Sequence, residues 1–155
     1  LMQPPFKLPE KEIGLIFLCY LAGTLSSSLI GQAIKRTHRL LLITLSTLLV
    51  AMIGASLTSL QTLPLVILGI LLFTGGFFAL HTILSYLITS VSQHKTSASS
   101  LYLLCYYAGS GLLGTLLGIV FFHYQWPGII ITIEGLYALS GLLILFIFYH
   151  LWQTK

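Results

Sequence analysis

Leu40–Gln93 reads LLLITLSTLLVAMIGASLTSLQTLPLVILGILLFTGGFFALHTILSYLITSVSQ and contains no Lys, Arg, Asp or Glu. From Thr96 to Thr154 the one charged residue is Glu134. A helix in a soluble core keeps a polar stripe at helical period, whereas these runs are apolar on every face, over lengths near multiples of a bilayer span of roughly 20 residues. The chain is therefore read as an integral membrane protein. Its composition agrees: 57% of residues are hydrophobic and 6% charged, against about 25% charged in an average soluble domain. Soluble and disordered classes are both excluded.

Outward from this stretch the sequence divides into five apolar segments. The first is expected over about 12–34 and the second over about 40–60, separated by the basic cluster Lys35, Arg36, His38 and Arg39. The third, about 63–90, opens on Leu63-Pro64, a proline position tolerated because the first helical turn lacks amide partners. A polar loop with His94 and Lys95 follows, and Ser99 or Ser100 is expected to cap a fourth span over about 99–122. The fifth, about 127–150, begins at Trp126-Pro127 and closes on the aromatic end of Tyr149 and Trp152. Residues 1–11 read as a loop, and the whole as a single partial membrane domain.

Net charge of +4 does not imply nucleic acid, because the basic residues lie in short loops between apolar runs and form no face for phosphates. They set orientation instead. Lys35, Arg36, Arg39, Lys95 and Lys155 gather on one side without an acid, and Lys7 and Lys11 lie on the other beside Glu10 and Glu12. The first group is expected to be cytoplasmic. That leaves the amino end outside, which a chain reaches more readily when a preceding helix has carried it across, so the sequence is expected to be the later part of a longer protein. Cys19 and Cys105 fall inside apolar runs and read as small packing residues.

The loop Gly31-Gln-Ala-Ile-Lys35-Arg36-Thr-His38-Arg39 resembles the G-x-L-a-D-R-x-G-R signature of the major facilitator superfamily, matched at Gly31, Arg36 and Arg39. Lys35 replaces the acid of that signature and His38 its second glycine, as in the weaker second copy of the loop between helices eight and nine. The stretch from Gly75-Gly-Phe-Phe-Ala-Leu-His81 through Ala98-Ser-Ser-Leu-Tyr102 to Tyr106-Tyr107-Ala-Gly109, with Trp126-Pro127-Gly128, resembles bacterial sugar and drug efflux permeases of the same superfamily. The resemblance covers essentially the whole chain. It implies five transmembrane helices, eight to twelve, of a major-facilitator-type bundle whose halves each hold two inverted three-helix units. It also implies that Gly31, Arg36 and Arg39 form a cytoplasmic gating loop in a bacterial inner membrane. The simpler reading of the same cations is orientation and attraction to anionic lipids.

Two small-residue stripes fit close helix packing: Cys19, Gly23, Ser27 and Gly31 in the first span, and Ser110, Gly114 and Gly118 in the fourth. Glu134, roughly 10 Å below the external interface at 1.5 Å per residue, is the one acid within any span. An intramembrane carboxylate costs a few kcal/mol unless paired, protonated or hydrated, roughly as charged groups do on insertion scales. It is a candidate for taking a proton or pairing with a cation, with Tyr137, Ala138 and Gly141 on its stripe; a structural hydrogen bond is the plainer alternative. His81, whose imidazole type titrates near neutral pH, competes between a pathway role and an ordinary satisfied histidine. Tyr102 and Tyr106 share a face and are candidates to line a substrate cavity, against packing and interface anchoring.

Transport of a small molecule by alternating access, outward in exchange for protons, is the leading function. Its expected partners are the bilayer, the remaining helices of the same transporter, a sugar or drug-like solute and the proton. A membrane enzyme built on His81, His94, His123 and Glu134 is the second class, although no pair shows a helical metal-ligand spacing and no cofactor is implied. An accessory membrane subunit without transport of its own is the third.

Overall fold

Side chains that are apolar on all faces leave the main chain to satisfy its own N–H and C=O groups, and in hydrocarbon a helix does this within one segment. The computed structural model describes residues 1–2, 6–35 and 39–153, with side chains described as far as residue 150. Every regular element among them is helical: α1 (Glu10–Ile16), α2 (Cys19–Ala33), α3 (Leu40–Leu57), α4 (Leu63–Val91) and α5 (Lys95–Gln153). Of the basic hairpin loop, Arg36 and His38 lie outside the described residues.

The expected first span is divided. At Phe17 and Leu18 the main chain tightens to three-residue hydrogen bonds, Phe17 N to Gly14 O at 3.2 Å and Leu18 N to Leu15 O at 3.0 Å, before α2 resumes. α1 and α2 together still make one apolar stretch, Glu10–Ala33, of membrane-crossing length. Another expectation is corrected at the fourth span. Its helix starts at Lys95, so Ser99 and Ser100 lie inside the first turns and not at its start, while Ser92 Oγ accepts from the amide of His94 at 3.1 Å in the loop before it.

Four helical stretches are long and apolar enough to cross a membrane, where the sequence suggested five. The difference lies in α5, whose stretch of 56 residues from Lys95 to His150 contains a non-helical residue, Gln125, at φ 54° and ψ −157°. On either side of it the register against α4 runs in opposite senses. In the first arm (95–124), Tyr102 meets His81 and Tyr106 meets Phe77, an antiparallel pairing. In the second arm (126–153), Tyr137 meets Phe73 while Ile144 packs with Leu80, a parallel one. The chain therefore reverses at Gln125, and α5 comprises two oppositely directed passes. Gly128 belongs to this reversal, since a Cβ there would collide with Tyr124.

The core is organised on α4, which packs most extensively against α3 and α2. Contact with α3 is made through absent side chains. A Cβ on Gly54 would collide with the amide of Phe73, one on Gly69 would lie 2.8 Å from the carbonyl of Gly54, and one on Gly76 would lie 2.8 Å from Ala51. Such approach brings two main chains into van der Waals contact where lipid gives helices no hydrophobic reason to associate. Below it Leu48, Leu80 and Ile144 form a small buried cluster joining α3, α4 and the second arm. Thr44 and Thr47, buried in α3, return their hydroxyls to the carbonyls of Leu40 and Ile43 at 2.8 and 2.7 Å, so burial leaves neither unsatisfied. By contrast Leu112, Leu116 and Phe122 on the first arm are exposed, as suits a surface whose solvent is hydrocarbon.

Two substitutions in the full-length protein test this frame by thermal unfolding in detergent. Gly76→Leu forces α3 and α4 apart and is expected to lower stability by at least the 1–3 kcal/mol roughly typical of overpacking. Gln125→Gly relieves a backbone region that is nearly glycine's alone and is expected to raise stability by about 1 kcal/mol, strain relief exceeding the added chain entropy.

Candidate functional site

α2 and α4 run parallel, and their shared face is sewn by hydroxyls. Ser26 Oγ donates to the carbonyl of Gly75 at 2.6 Å and Ser27 Oγ to that of Phe78 at 3.3 Å. Thr82 Oγ1 is placed to donate to Ser27 Oγ at 3.0 Å and to the Phe78 carbonyl at 2.9 Å. Gly23 takes the ring of Phe78 against its Cα, with a carbon of that ring 2.6 Å from where a Cβ would stand. Towards the Lys35 end the two helices part, leaving an open groove of about 540 Å³. Ser27, Gly31, Gln32, Lys35, His81 and Thr82 are among the residues on its walls.

His81 joins this groove to α5. Its Nδ1 lies 2.8 Å from the hydroxyl of Tyr102, which is also 3.2 Å from the carbonyl oxygen of His81 itself. The ring of Tyr106 stands 4.6 Å from the imidazole, centre to centre, and 6.4 Å from Phe77. The spacing of Tyr102 and Tyr106 thus places both on one face of the first arm, against a single histidine. Gly31 lies on the groove wall, and a Cβ there would meet only the Thr82 methyl at 3.9 Å. Arg39 stands immediately before α3, its carbonyl accepting from Ile43 at 3.1 Å.

Glu134 is at another level of the bundle. It is half-buried on the second arm, and its Oε1 accepts from Ser56 Oγ at 2.8 Å, near the end of α3 opposite Arg39. Two residues beyond Ser56, the indole N–H of Trp126 donates to the carbonyl of Thr58 at 3.2 Å, fastening the chain reversal to the same helix end. Tyr137, one turn further along the Glu134 stripe, is half-buried edge-on to Phe73 at 6.2 Å. The structure therefore groups His81, Tyr102 and Tyr106, and it groups Glu134 with Tyr137, but it keeps the two groups apart.

The predicted packing stripes part company. Gly23 and Ser27 lie at the α2–α4 contact, while Gly114 and Gly118 have no atom within 4 Å of a would-be Cβ among the described residues. Sequence reasoning missed the tighter approach at Gly54, Gly69 and Gly76. The usable signal was the very short connection after α3, which obliges α3 and α4 to be neighbours. It also missed Ser56 and Thr82, polar residues at helical spacing on otherwise apolar faces.

An α-helical bundle of alternating passes, with apolar outer faces and polar groups turned toward grooves between helices, defines an integral membrane protein. The sequence relatives agree. The chain is 39% identical over 134 residues to an uncharacterized transporter of Buchnera aphidicola subsp. Baizongia pistaciae, covering 86% of this chain and 33% of that protein. It is 37% identical over 131 residues to the uncharacterized MFS-type transporter YybF of Bacillus subtilis, covering 84% and 32%. It is 39% identical over 130 residues to the inner membrane transport protein YnfM of Escherichia coli, covering 83% and 31%. The chain belongs to the major facilitator superfamily of transporters. It spans about a third of the length of the curated relatives it matches. No family model and no solved structure matches it.

Interhelical hydrogen bonds in membranes average roughly 0.6 kcal/mol, with a maximum near 1.7. Ser56→Ala in the full-length transporter is accordingly expected to lower unfolding stability by about 0.6–1.7 kcal/mol in bicelles. Glu134→Gln keeps an amide oxygen to accept from Ser56, and its loss is expected to be the smaller of the two.

Proposed function

We propose that these passes are helices eight to twelve, in the C-terminal half of a proton-coupled exporter in the bacterial inner membrane. In this assignment the solute is a small molecule of sugar or drug-like size, moved outward by alternating access as protons move inward. Binding falls between this half and the helices that the longer relatives possess. The observation that carries this reading is the groove between α2 and α4: within a protein otherwise largely apolar, it gathers hydroxyls and an amide from α2 and hydroxyls and an imidazole from α4 on its two walls. Hydroxyl and amide groups in an apolar setting fix the orientation of a polar solute, and the aromatic rings beside His81 give it a face to lie on.

His81, Tyr102 and Tyr106 are assigned to the solute or proton path at the cytoplasmic side, and Glu134 with Tyr137 to the proton path at the external side. Gly31, Arg36 and Arg39 are assigned to the cytoplasmic gate. A carboxylate held by a single serine is suited to proton exchange, because protonation removes its charge while the second oxygen retains acceptor capacity.

The test uses the full-length transporter in proteoliposomes containing a pH-sensitive dye, challenged with labelled pentoses and hexoses and with the fluorescent cation ethidium. The expected result is solute movement driven by an imposed pH gradient, accompanied by dye-reported proton flux. Glu134→Gln is expected to cut gradient-driven flux at least tenfold while thermal stability stays near that of the parent. Solute movement indifferent to the gradient, or undiminished in Glu134→Gln, rejects the proton-coupling assignment.

A further inference from the structure

The Tyr102 hydroxyl has two acceptors of one residue within reach, His81 Nδ1 at 2.8 Å and the His81 carbonyl oxygen at 3.2 Å. A phenol has one hydrogen to give and lone pairs to receive. With neutral His81 in the Nε2–H tautomer, Tyr102 O–H donates to Nδ1; in the Nδ1–H tautomer the ring would instead donate to the hydroxyl, which would turn to the carbonyl. The carbonyl already belongs to the α4 ladder, but a carbonyl oxygen has a second lone pair for another donor.

We propose that Tyr102 is a positioning residue that lets His81 gain and lose a proton while α4 and the first arm of α5 remain joined. The inference rests on the assignment of His81 to the proton path. When a hydronium ion gives one proton to the ring and departs as water, Nδ1 becomes an N–H and donates to the Tyr102 oxygen. The hydroxyl hydrogen, no longer required at Nδ1, turns to the His81 carbonyl. One proton is added, none leaves, and the change needs only rotation of a hydroxyl about its C–O bond. A tyrosine facing Nδ1 alone would give up its donor role on protonation and leave its hydrogen without an acceptor in a low-dielectric site, where that costs most.

The surroundings permit the charge to come and go. From the first arm of α5, Tyr102 and Tyr106 face the imidazole. From α2, Lys35 borders the same groove, and α4 itself contributes Tyr86. α3 carries no charged side chain. On the second arm Glu134 is engaged by Ser56. No carboxylate among the described residues forms a pair with His81 that would hold the ring permanently charged. The ring stands on the wall of the groove between α2 and α4.

The experiment is nitrogen-15 NMR of histidine-labelled full-length transporter in nanodiscs, titrated through neutral pH, with proton flux measured on the same preparations. In the parent, neutral His81 is expected as the Nε2–H tautomer, converting to the doubly protonated ring on acidification. Tyr102→Phe removes the charge-assisted bond and is expected to shift the titration midpoint about 0.5–1 unit lower, since such a bond favours the cation more than a neutral bond favours the neutral ring. Tyr106→Phe, which keeps the ring contact, is the control and is expected to leave the midpoint unchanged. A neutral Nδ1–H tautomer in the parent overturns the proposal, and so does an unshifted midpoint in Tyr102→Phe; the first observation needs no variant to fold. A shifted midpoint with unaltered proton flux upholds the role of Tyr102 and rejects His81 as part of the coupling path.

Discussion

Inside hydrocarbon a hydrogen-bonding group has no solvent to fall back on, and this constraint orders the structure at every scale. It makes each segment helical, because only the helix satisfies a main chain locally. It sends the hydroxyls of buried Thr44 and Thr47 back to their own ladder. It turns several other polar side chains into seams between helices: Ser26 and Ser27 to α4, Ser56 to Glu134, Tyr102 to His81. Apolar contact supplies little of this organisation, because a leucine is as comfortable against lipid as against another leucine. Among the described residues the buried cluster of Leu48, Leu80 and Ile144 is small, while many other large apolar side chains lie on the outside.

Class and passes were legible because they follow from what is missing. An absence of charge over Leu40–Gln93 excludes water-facing surface irrespective of partners, and Pro127 after Trp126 marks a reversal from local chemistry alone. Boundaries were less legible. Ser99 and Ser100 suggested a cap, but the helix already begins at Lys95, and a serine within the first turns reads in sequence like one at the boundary. The interruption at Phe17–Leu18 carried no signal, for both residues are ordinary helix formers.

The site was legible in its members and not in its pairing. His81, Tyr102, Tyr106 and Glu134 stand out because polar residues are costly in this setting. Which of them meet depends on register between helices distant in sequence, and register is set by glycines that sequence reasoning placed elsewhere. Gly54, Gly69 and Gly76 bring α3 onto α4 and thereby decide the level at which α5 can dock. Gly114 and Gly118 show the reverse case: the pattern is regular, yet the described chain brings no neighbour to them. A stripe of small residues states that approach is sterically allowed and leaves the identity of the partner open.

The seams also differ in how they bind the chain's history. Where Ser26 and Ser27 reach main-chain carbonyls, the residues carrying those carbonyls are free to drift, since every amino acid presents the same oxygen. Ser56 with Glu134, and Tyr102 with His81, tie one side-chain identity to another. Across diverging descendants the main-chain bonds of the α2–α4 seam therefore tolerate replacement of the α4 residues one position at a time, whereas Thr82 with Ser27, and the two couples joining α5 to its neighbours, are constrained to change together or not at all.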